Sequence, residues 1–77
     1  MIIRSQDKKM IINFNGASNI YIQGTSIWAN TYHGIATLGI YSTEEKAQQV
    51  LDDIFCAFRN MAYVDVTTFQ MPQDSEV

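Results

Sequence analysis

The sequence predicts an α+β domain, an antiparallel sheet of four to six strands packed on a single helix at about residues 42–61. Two observations carry that expectation. The first is one long stretch of helical periodicity. Ala47, Val50, Leu51, Ile54, Phe55, Phe58 and Met61 recur at three- and four-residue spacing and so share one side of a helix. Lys46, Gln49, Asp52, Asp53, Cys56 and Asn60 take the other side. The second is strand-type alternation over residues 9–14, 19–23 and 27–41, interrupted by turn residues. A lone helix stripe is marginal in water and must be covered. The strands are the natural cover.

Taken in order, residues 1–4 read as a short first strand and Ser5-Gln6-Asp7-Lys8 as a polar turn. Residues 9–14 place Met10, Ile12 and Phe14 on one face and Ile11 on the other. Asn15-Gly16 is a strong turn signal. Residues 19–23 put Ile20 and Ile22 opposite to Tyr21, and Gly24-Thr25-Ser26 turns the chain. The next segment reads as a hairpin closed by His33-Gly34. In that register Ile27, Ala29, Thr31, Ala36, Leu38 and Ile40 share one face. Trp28, Asn30, Tyr32, Ile35, Thr37, Gly39 and Tyr41 share the other, with the Trp28 ring covering Gly39.

Ser42-Thr43-Glu44-Glu45 has the form of a capping box, with Ser42 at the cap and Glu45 three positions on. After the helix, residues 63–71 are strand-like, with a parity slip between Val66 and Phe69, and Pro72 ends the run. Residues 1–72 thus form one small domain, and residues 73–77 a flexible acidic tail.

Composition narrows the function classes. The 77 residues are 47% hydrophobic and 17% charged, too apolar for a disordered chain. The net charge of −3, with five basic residues, opposes nucleic-acid binding. One cysteine allows no internal disulfide, so reducing cytoplasm is the expected compartment. The first residues lack the apolar run of a signal peptide, and no apolar stretch is long enough to span a membrane.

One pattern covers nearly the whole chain: Ile3-Arg4-Ser5-Gln6-Asp7-Lys8, Ile12-Asn13, Leu38-Gly39-Ile40-Tyr41-Ser42-Thr43-Glu44-Glu45-Lys46-Ala47, Val50-Leu51 and Met71-Pro72. It resembles short proteins of Gram-positive bacteria, their phages and mobile elements. The pattern is loose between Ala17 and Gly34. The resemblance implies a phage or mobile-element origin and carries no activity with it.

No catalytic or metal-binding motif stands in the chain, so no enzyme and no cofactor is expected. His33, the only histidine, falls in a hairpin turn with no partner at a defined spacing. Asp52 and Asp53 are adjacent and diverge on a helix. Cys56 lies away from the apolar stripe, as a partly shielded small residue or one that a second element or a partner subunit covers.

What remains is the second sheet face. If Met10, Ile12, Phe14, Ile20, Ile22, Leu38 and Ile40 cover the helix, Ile11, Tyr21, Trp28, Tyr32, Ile35 and Tyr41 gather outside. A solvated face should be polar; an aromatic one marks a contact surface. Arg4 and Lys8 are candidates to face a ligand's negative charge. The expected function is non-enzymatic binding by a cytoplasmic homo-oligomer, in its sharpest form counter-defence by sequestering a small signalling ligand or occluding a host protein. A structural or regulatory oligomer without ligand is the first alternative. A single-stranded nucleic-acid binder is the second, opposed by the charge.

Overall fold

A computed structural model of the chain describes residues 1–13, 17–60 and 68–77. The fold is α+β, with one α-helix and six strands among the described residues. The strands are β1 (Ile2–Arg4), β2 (Ile11–Asn13), β3 (Ala17–Gln23), β4 (Ser26–Thr31), β5 (Gly34–Ile40) and β6 (Thr68–Gln70). The helix, α1, spans Glu44–Asn60. Instead of one antiparallel sheet there are two three-stranded ones, ordered β2-β1-β6 and β3-β4-β5. β1 pairs antiparallel with β2 but parallel with β6, so the first sheet is mixed. Phe14, the Asn15-Gly16 turn, Met61 and the 63–67 part of the expected last strand lie outside the described residues.

Both sheets and the helix share one core. Ile3 and Ile12 reach it from the first sheet, and Met71 from just beyond β6; Ile27, Ala29 and Leu38 from the meander; Ala47, Val50 and Ile54 from α1. The helix stripe is narrower than the sequence pattern. Phe55 is 60% and Phe58 45% exposed, while Leu51 is half-buried. Ala47, Val50 and Ile54 set the inward direction, and Phe55 falls beyond its edge. Thr43, one residue later than expected, caps the helix: its Oγ1 accepts the Lys46 N–H at 3.1 Å.

The hairpin is also shifted by one residue. Thr31 pairs with Gly34, leaving Tyr32-His33 as the turn. Trp28 therefore faces Thr37, not Gly39. A bulge between Ile27 and Trp28 then reverses the parity of β5, so Leu38 and Gly39 are both buried and Ile40 is exposed. Tyr41 follows that reversal into the core, where it is 3% exposed, and its ring, not that of Trp28, covers Gly39.

The Ser5-Gln6-Asp7-Lys8 turn rivets the two sheets together. Ser5, 2% exposed, donates from Oγ to Asp7 at 2.6 Å and accepts the Met10 N–H. Lys8 adopts a left-handed φ of 64° there. Gln6 donates its N–H to Leu38 O, and its side-chain amide both donates to and accepts from the backbone of Ile40, each at 2.9 Å. Gln70 donates to Ser5 O, and Gln73 to Gln6 O.

The C-terminus, expected as a loose tail, folds back on this junction. Asp74–Glu76 forms a short 3-10 helix, and Val77 packs against the core. Asp74 accepts the Ser42 N–H at 2.7 Å and pairs with Lys46 at 3.6 Å. The Ser42 N–H, aimed at the carboxylate, holds Asp74 below its ordinary value. Tyr41 donates its hydroxyl to Pro72 O at 2.9 Å. Burial, with Asp74 and Glu76 nearby, pushes the Tyr41 hydroxyl up to about 12. The unfolded chain releases that proton near 10.0 and the folded chain only near about 12, so stability falls as pH rises through this window. Tyr41→Phe should flatten that alkaline fall, as read from urea midpoints on either side of pH 10.

Candidate functional site

The outer face of the meander is built by alternation. β3 and β4 turn Ile20, Ile27 and Ala29 inward, and the residues that alternate with them point out. The register places Tyr21 opposite Trp28 and Trp28 opposite Thr37, with Asn19, Asn30 and Ile35 in the adjoining row. Tyr21 and Trp28 meet edge to face, ring centroids 6.2 Å apart at 72°. Both are half-buried, and Ile35 is 63% exposed.

Tyr32 stands at the hairpin tip, 93% exposed, its ring edge-on to His33 at 5.4 Å. Thr31 fixes this turn by donating to Gly34 O at 2.7 Å and accepting the His33 N–H at 3.3 Å. Beside the tip runs a groove of about 310 Å³, lined by Ile11, Ile12, Asn13, Thr31, Tyr32 and His33. Ile11, 66% exposed, also lines a cleft of about 250 Å³ with Ile2, Arg4 and Gln70. Arg4 donates from Nε to the Gln70 side chain there.

The expected site residues therefore divide. Tyr21, Trp28 and Ile35 form one face. Arg4 and Ile11 share a cleft on the other sheet, and Ile11 and Tyr32 share the groove at the tip. Lys8 stands in the Ser5–Asp7 turn. Tyr41 leaves the set, because the β5 bulge carries it into the core. Phe55 and Phe58, which the spacing assigns to the core stripe, belong instead to a third apolar surface. Together with Ile20, Leu51, Asp52 and Ile54 they line a groove of about 350 Å³ between α1 and β3. Its signal was the excess width of the apolar stripe.

Among the described residues, no group of three His, Cys, Asp or Glu side chains is placed to hold a metal. Cys56 is exposed on α1. No described helix is long and apolar enough to cross a membrane. No protein-family model, no curated protein and no solved structure matches this chain.

Proposed function

We propose that this chain is a non-enzymatic binding protein that works as an oligomer in the cytoplasm and contacts a protein partner through the outer face of the meander. The observation that carries this reading is the Tyr21–Trp28 pair with exposed Ile35 on a sheet face where polar residues belong. In a phage or mobile element, the origin the sequence resembles, the use of such a surface would be counter-defence by occluding a host protein. The division of labour supports it. The residues of the resembling pattern are spent on the junction: Ser5, Gln6, Tyr41 and Met71 all hold backbone or core. The loose stretch, Ala17 to Gly34, carries the rings.

A second reading, capture of a small signalling ligand, is favoured by the groove of about 310 Å³ at Ile11, Tyr32 and His33. It lies at the lower end of ligand-pocket sizes. Arg4, in the cleft that shares Ile11, would meet a negative group.

Affinity capture from a Gram-positive host lysate, with Trp28→Ser/Ile35→Ser in parallel, tests the choice. The expected result is a defined host protein retained by the wild type and lost by the folded double variant. Equal retention by both would overturn the reading of the face. An ultraviolet-absorbing compound released by heat, with no protein retained, would favour the small ligand. Neither would leave an oligomer without a ligand.

A further inference from the structure

We infer that the edge of β3 away from β4 docks a second copy of this chain, strand to antiparallel strand about a two-fold axis at Tyr21. β3 is the end strand of the meander and pairs, among the described residues, with β4 alone. The meander's other edge is occupied: Gln6 brackets Ile40 and bonds Leu38 O on β5. Among the described residues, the edges of the first sheet, β2 and β6, span three residues each. β3 runs seven residues, ASNIYIQ, with neither a charge nor a proline. Charge and proline are two of the devices that keep a strand edge from pairing; the register shift between Ala17 and Asn19 stands at one end and leaves residues 19–23 in unbroken register with β4.

The geometry sets a register. The Gly24-Thr25 turn closes on the Gln23–Ser26 pair, which is hydrogen-bonded in a two-residue hairpin. Gln23, Tyr21 and Asn19 therefore turn their backbone groups to β4. Ile22 and Ile20 turn theirs outward. An antiparallel copy centred on Tyr21 sets Ile20 against the partner's Ile22, so the outward N–H and C=O groups satisfy one another. Asn19 meets the partner's Gln23, polar to polar. Tyr21 meets the partner's Tyr21 on the outer face and extends the Tyr21–Trp28 pair into a row of rings. Along the same edge Phe55, 60% exposed, would leave water. Asp52 lines that groove, and the Arg59 guanidinium stands 5.7 Å over the Phe55 ring, so the surface offers both signs of charge to its own copy.

This inference deepens the oligomeric part of the proposed function and rests on it. Asn19 and Gln23 are exposed, so charges there leave the subunit's core untouched. In this register Asn19→Lys/Gln23→Lys sets like charges opposite each other at both ends of the strand pair, whereas Asn19→Lys/Gln23→Glu sets opposite charges there. Molar mass by sedimentation, with circular dichroism as the check on folding, is expected to give twice 8.8 kDa for the wild type, half that for the Lys/Lys variant, and the doubled mass again for Lys/Glu. Amide exchange should find Ile20 and Ile22 protected in the wild type, a readout independent of either variant. A wild type at 8.8 kDa at every concentration, or a Lys/Lys variant that keeps the doubled mass, would overturn the proposal. Capture of a host protein by a monomeric Lys/Lys variant would separate the two readings, because the outer face would then work without the edge.

Discussion

Leu38→Ala is expected to cost about 2–5 kcal/mol, a large part of what a domain of this size has. Leu38 is 1% exposed and sits at the bulge where β5 changes face. Its carbonyl also accepts the Gln6 N–H that ties the two sheets. Removing the side chain leaves a cavity where meander, helix and first sheet meet, and neighbours held by the Gln6 and Tyr41 hydrogen bonds have little freedom to collapse into it. Urea unfolding measures the loss. Phe55→Ala, by contrast, should cost well under 1 kcal/mol of subunit stability, because solvent already reaches that ring.

Gly39→Val is expected to be nearly as damaging, at about 1–3 kcal/mol or more. A Cβ at Gly39 would stand 3.0 Å from Cε2 and from the hydroxyl oxygen of Tyr41. That ring cannot retreat cheaply: it is buried, and its hydroxyl is bonded to Pro72 O. The β-branched side chain would push the ring out, break that bond and loosen the C-terminal turn held by Asp74. Thermal unfolding would show the loss. Gly39→Ala should be milder, since one methyl group requires a shift of only a few tenths of an ångström.

Local pattern carried the helix, because three- and four-residue spacing is written in adjacent turns and needs no knowledge of the rest of the chain. It also carried the alternation over 19–23, a turn after it and the outward placement of Tyr21, Trp28 and Ile35; Ser26, expected in that turn, pairs with Gln23 instead. The two-sheet arrangement was not legible. Pairing β1 with β6 joins Ile3 to Phe69, far apart in sequence, and no local period reports it. His33-Gly34 and Tyr32-His33 both fit a two-residue turn, and Thr31, whose hydroxyl bonds Gly34 O, decides between them. Strict alternation cannot foresee the bulge that carries Tyr41 inward. Gln6 looked like a turn residue. Its role as a clamp on β5 depends on Ile40, which only the fold brings to it.

The central claim is that a riveted scaffold carries a face that folding does not need. Urea unfolding of Trp28→Ser/Ile35→Ser beside Leu38→Ala tests it most directly. A half-buried ring and an exposed isoleucine should together cost less than the loss of about 2–5 kcal/mol expected for Leu38→Ala. A double variant that unfolds as readily as Leu38→Ala would show the face to be core, and would contradict the claim.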